Sequence, residues 1–168
     1  MKEKNKLFIP YVITLIGTIM MFLLLVLPFT TATDEYAERL DRFADTEVYK
    51  GLSLTCADVK NVSLVDYARI YVAVGENFWK NEYAGWIYAG LIAAIGLFSL
   101  IAVIKAIRKK PICIIISTIF TMITVAIFNW DLSARHVVQN ENYVWGVAHY
   151  CYCLLYTSPS PRDSTSSR

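Results

Sequence analysis

A chain of 168 residues that is 56% hydrophobic yet carries a formal charge of only +2 has no basic surface to offer a nucleic acid. Its apolar residues fall in long runs instead of being spread through a soluble core, and the length is that of one domain. Four cysteines, Cys56, Cys113, Cys151 and Cys153, are too scattered for a disulfide framework, and Cys151-x-Cys153 lacks the spacing and second ligand pair of a metal site.

The first predicted element is the uncharged run Leu7–Phe29. A helix needs about 20 apolar residues to cross the hydrocarbon of a bilayer, so the run reads as a first span at 7–29. Pro10 stands in its first turn, where a missing N–H is tolerated, and Pro28 at its far end, where a helix can stop. Thr30-Thr31-Ala32 offers small residues for cleavage, but the run exceeds the roughly 7–15 residues of a signal-peptide core and predicts an anchor.

Residues 30–82 carry ten acids against six bases. Thr31-Ala32-Thr33-Asp34 fits a capping box, and Tyr36, Leu40, Phe43, Ala44 and Val48 follow at helical spacing, predicting an amphipathic helix over 33–48. Gly51 ends it, and Leu52–Cys56 alternates like a short extended stretch. Ser63-Leu64-Val65-Asp66 is a second capping box and predicts a helix over 64–74, although the β-branched residues there would also suit a strand. Gly75 is expected to break or kink the path that follows. Asn61-Val62-Ser63 fits a glycosylation sequon but also simply precedes the helix cap. The aromatics Tyr36, Phe43, Tyr67, Tyr71, Phe78 and Trp79 are the candidates for binding a protein partner; the competing reading makes most of them the segment's own core.

A second uncharged run, Tyr83–Ile104, gives a span at about 83–107, with Gly85, Ala89 and Ala93 on one face and Gly90 and Ala94 on the next, as close helix packing requires. Lys105, Arg108, Lys109 and Lys110 fill the turn to a third span, Pro111–Trp130, which bears Ser117 and Thr121. Residues 131–142 form a short polar loop in which Asp131 and Arg135 are spaced as an exposed helical ion pair worth a few tenths of a kcal/mol. A fourth apolar run, 143–156, has 14 residues and would reach only about 21 Å, too short to span. His149 lies one turn inside Trp145, where interfacial hydrogen bonding accounts for it.

The basic clusters at Lys2, Lys4 and Lys6 and at 105–110 place the N-terminus and that turn in the cytoplasm, with 30–82 and 131–142 outside a plasma membrane. Trp79, Tyr83, Trp86 and Tyr88, then Phe128 and Trp130, then Tyr143 and Trp145, would share one depth as an outer aromatic belt.

This layout, with Asn129-Trp130-Asp131 at the end of the third span, resembles that of uncharacterised small four-span membrane proteins of Gram-positive bacteria. The long first and short second outer loops, with Gly51-Leu52 and Cys56, are similar to claudins; the claudin tryptophans and second outer cysteine are missing, so no claudin function is carried over. Cys153–Asp163 resembles a translated sequencing adapter, which implies that the natural chain diverges near Tyr152 and that 153–168 is a disordered tail without function.

The expected fold is therefore all-α: a membrane bundle of four transmembrane helices, the fourth incomplete, with a partly helical outer segment. No Gly-rich phosphate loop, His-x-x-x-His or Gly-x-Ser-x-Gly motif occurs, so no catalytic, cofactor or metal site is expected. The leading expectation is a non-enzymatic binding or scaffold subunit that shows residues 30–82 to a protein partner. The alternative is a transporter or channel subunit lined by Thr14, Thr18, Ser117 and Thr121. Asp131, Arg135, His136 and His149 form the candidate polar site.

Overall fold

A computed structural model describes residues 2–79 and 82–157, and most of them are helical. The helices are α1 (Lys2–Leu23), α2 (Asp34–Asp41), α3 (Leu64–Trp79), α4 (Glu82–Ile107), α5 (Pro111–Ala134) and α6 (Val147–Thr157). Three short strands, β1 (Pro28–Ala32), β2 (Asn61–Ser63) and β3 (Tyr143–Trp145), correct the all-α expectation.

The sheet begins where the first apolar run was expected to remain helical. Pro28 lacks an N–H and steers Leu27 away from the helical region, so the chain turns over Leu24–Leu27 and leaves as a strand. Phe29, Thr30 and Thr31 are β-formers, and β1 takes the centre of an antiparallel sheet ordered β2-β1-β3. Thr30 pairs with Val62 on one side and with Trp145 on the other, with a bulge between Pro28 and Thr30 on the β2 side. The open edge of β3 is closed by Asn140: Tyr143 N–H donates to its Oδ1 (2.7 Å) and the Tyr143 carbonyl accepts its N–H (3.3 Å). The fourth apolar run is thus strand at its start and helix only from Val147.

Among the described residues two helices are long and apolar enough to cross a membrane, Tyr83–Ile107 and Pro111–Ala134. Only 22% and 28% of their most apolar stretches are buried, which is not the pattern of a soluble core. The apolar part of α1, Pro10–Leu23, and the 11-residue α6 fall short, so helix length does not support four spans. Residues 158–168 of the expected tail lie outside the described residues, while 153–157 continue α6.

Packing at the sheet end is dense. α3 and α1 both lie on α4, α4 lies on α5, and Phe29, Leu64, Phe128, Leu132 and Tyr152 are fully buried between them and the sheet. A Cβ on Gly85 would fall inside the contact radius of the Tyr71 carbonyl and would touch Gly75, so these two glycines let α3 and α4 cross closely. Gly75 therefore does not break α3, which runs on to Trp79. Gly90 has no neighbour at the Cβ position and Ala93 is exposed, so of the expected small-residue seam of α4 it is Gly85 that meets α3 backbone to backbone.

The second capping box forms in full. Ser63 N–H and Oγ–H both donate to Asp66 Oδ2 (3.1 and 2.6 Å), and Asp66 N–H returns to Ser63 Oγ (3.2 Å). The first does not: Thr33 caps α2 without a side-chain bond to it, its hydroxyl going instead to the Glu141 carbonyl at 2.8 Å. The helix expected over 33–48 ends at Asp41, after which a loop closes on Gly51 (φ +85°) and a bridge between Glu47 and Thr55. Leu52 and Leu54 are buried in that loop, as the alternation predicts.

Candidate functional site

Three helices bring polar side chains together at the sheet end. Tyr71 of α3 stacks on Tyr88 of α4 with ring centroids 4.9 Å apart, and the Arg135 guanidinium lies 4.6 Å over the Tyr88 ring. Arg135 Nε donates to Asp131 Oδ1 at 2.8 Å, Tyr88 OH donates to the same oxygen at 3.0 Å, and Arg135 also donates to the Tyr88 hydroxyl. Asp131 is 8% exposed, and its Oδ2 is buried without a hydrogen-bond partner among the described residues. The expected Asp131–Arg135 pair is present, but it lies within the packing and not on an exposed loop.

α5 positions this cluster by its ending. Val137 N–H bonds to the Leu132 carbonyl and His136 N–H to Ser133, with His136 left-handed (φ +53°), a Schellman closure that fixes the last turn carrying Arg135. His136 is consequently exposed and turned to the loop, where its carbonyl accepts from Asn140 Nδ2. No ion pair joins it to Asp131 or Glu141 among the described residues.

Beside the cluster lies an aromatic platform. Phe29 contacts Phe128, Trp145, His149 and Tyr152 at centroid distances of 5.6, 6.0, 5.8 and 6.5 Å. His149 stacks on Trp145 (3.9 Å), with Nδ1 3.2 Å from Asn129 Oδ1 and Nε2 3.6 Å from Cys153 Sγ, a residue of the adapter-like segment. Tyr67 meets Phe128 edge-on and shares a 2.8 Å hydrogen bond with Thr30. Burial pushes the Tyr67 phenol up to about 12, the Thr30 contact working in the opposite sense. Burial, reinforced by the Asp131 charge, also raises Tyr71.

The six partner-binding candidates separate clearly. Tyr67 and Tyr71 are buried core residues, the place the competing reading assigned to most of these aromatics. Tyr36 is half-buried against the edge of Tyr143. Phe43 is 64% exposed, and Val48 in the same loop is 45% exposed. The side chains of Phe78 and Trp79 lie outside the described ones. Sequence reasoning missed Asn129, Thr30 and Thr33 as bonding partners and read Tyr88 only as a belt aromatic; the Tyr88–Asp131 bond depends on the register of two helices, for which no local signal exists.

Three of the four hydroxyls of the channel alternative bond within their own helices. Thr18, Ser117 and Thr121 are buried; Thr18 and Thr121 donate to carbonyls of their own helices at 2.9 and 3.0 Å, and exposed Thr14 does the same at 2.8 Å. A groove of about 670 Å³ runs between α5 and α6, walled mainly by apolar side chains such as Ile119, Met122 and Leu155. Among the described residues no three His, Cys, Asp or Glu side chains gather where they could hold a metal ion. The arrangement holds elements together, and the nucleophile-and-base contact it contains is that of Cys153 Sγ with His149 Nε2 at 3.6 Å. Comparison of the chain with known protein families, curated proteins and solved structures finds no match.

Proposed function

We propose that the protein is a multi-pass membrane scaffold whose function is to hold a folded cap, residues 28–79 together with 131–145, against a protein partner on the outer side. α4 and α5 span, α1 and α6 are inserted beside them, and the basic turn 105–110 faces the cytoplasm. One observation carries this reading: β1 joins β2 and β3, so segments 28–79 and 131–145 form a single body, and that body leaves Phe43 and Val48 exposed. The exposed apolar flanks support insertion, with Ile13, Ile87, Ile112 and Ile115 all between 59% and 72% exposed. The reading is non-enzymatic. Against the pore alternative stand buried Thr18 and Thr121, whose hydroxyls bond within their own helices.

Photo-crosslinking residues placed at Phe43, Val48 and Tyr67 of the full chain in its native membrane test the reading. A discrete protein adduct is expected from Phe43 and Val48 and none from buried Tyr67. The absence of any adduct from both exposed positions would remove the scaffold reading. Translation into microsomes tests the topology separately, because the Asn61-Val62-Ser63 sequon receives a glycan only if the cap lies in the lumen.

A further inference from the structure

We infer that the turn between α4 and α5 is a binding site for anionic phospholipid, the phosphodiester seated on Arg108, Lys109 and Lys110 and an acyl chain lying along Ile107 and Ile112. The inference rests on the membrane reading above and adds a ligand to it. Four cations fall within six residues, Lys105, Arg108, Lys109 and Lys110, while no Asp or Glu occurs from Tyr83 to Trp130. Among the described residues none of the four is in a salt bridge. Arg108, Lys109 and Lys110 are exposed.

The turn is held in one shape. Lys110 N–H bonds to the Lys105 carbonyl and Lys109 N–H to Ala106, both at 3.0 Å, which closes α4 with Lys109 in the left-handed conformation (φ +53°). Glycine is the usual occupant of that position, so a cation stands here against backbone preference. The Lys109 ammonium lies 5.1 Å from the centre of the Tyr11 ring, which ties the turn to α1. Positive charge that enters no salt bridge among the described residues therefore sits at a defined place on the end of a helical hairpin.

The surroundings select the ligand. Ile107 is 60% exposed and Ile112 72% exposed, immediately beside the three cations. A free phosphate would answer the charge and leave the isoleucines in water. An amphiphile with an anionic head answers both, and clusters of basic residues next to a span attract anionic lipid in this way.

Native mass spectrometry of the full chain in micelles tests this with phosphatidylglycerol, phosphatidylcholine and inorganic phosphate as probes. The wild type is expected to retain phosphatidylglycerol about tenfold over phosphatidylcholine. Replacing the three cations together (Arg108→Gln, Lys109→Gln, Lys110→Gln) should bring the two lipids level, and Ile107→Ser with Ile112→Ser should weaken phosphatidylglycerol retention while leaving the charge intact. Undiminished retention by the triple variant, or displacement by inorganic phosphate as effective as by lipid, would overturn the site. Asn61 glycosylation checks that the charge changes have not inverted the chain. A chain extracted from membranes by alkaline carbonate would sink the membrane reading itself; a chain that stays inserted without lipid preference sinks only this inference.

Discussion

Asp131 shows how much a single side chain at the sheet end can hold. Its carboxylate receives Arg135 and Tyr88 on one oxygen and keeps the other buried, so its charge is offset by one guanidinium. Arg135→Met should therefore destabilise the folded chain by about 3 kcal/mol, because an uncompensated carboxylate would remain in the packing. Combining it with Asp131→Asn should recover much of that loss. Thermal unfolding of the two variants in detergent measures the difference, and equal destabilisation would mean that the charges are not coupled. The pair itself was legible from spacing alone. Its burial was not, because the covering ring comes from Tyr88, on a different helix, and Tyr71 beyond it.

The elements divide by whether their signals are local. α3 announces itself through Ser63 and Asp66, and the reciprocal bonds appear as the motif requires. Ser63→Ala should cost about 1 kcal/mol, read as faster proteolysis of the cap with α4 and α5 untouched. Gly85 gives a sharper test of how α3 is seated. Gly85→Ala pushes a methyl group into the Tyr71 backbone, which has nowhere to retreat, and should cost on the order of 1–3 kcal/mol, whereas Gly90→Ala, which meets open space, should be neutral or slightly stabilising. Equal effects at both positions would rule out the close crossing. The sheet left no such trace in the sequence: β2 and β3 are three residues each, too short for alternation to register, and their partner strand lies far away along the chain.

On the scale of the molecule, hydropathy reported the long helices faithfully and misread the two ends of the apolar runs. Leu24–Phe29 and Tyr143–Trp145 are as apolar as the spans, but they turn aside to build the cap beneath Tyr67. That burial gives the whole assembly a pH limit. Tyr67 ordinarily loses its proton at 10.0 and here at about 12. The folded state thus binds that proton more tightly, so the contribution is complete below 10 and declines as pH rises from 10 through 12. Near-ultraviolet circular dichroism should show the aromatic platform loosening over that window, and Tyr67→Phe should remove this part of the alkaline sensitivity; an unchanged profile in the variant would exclude Tyr67 as its source.

Thr30 pairs with Val62 and also with Trp145, so the central strand waits for a neighbour that is translated after both long helices. During biosynthesis β1 and β2 emerge early, and Phe29 then lacks its Trp145 neighbour until β3 arrives. The sheet is therefore completed only after α4 and α5 have been made. A ribosome that stalls between Pro111 and Tyr143 would release a product with a sticky, half-built face, the kind of exposed apolar surface that makes a partly folded chain prone to aggregate.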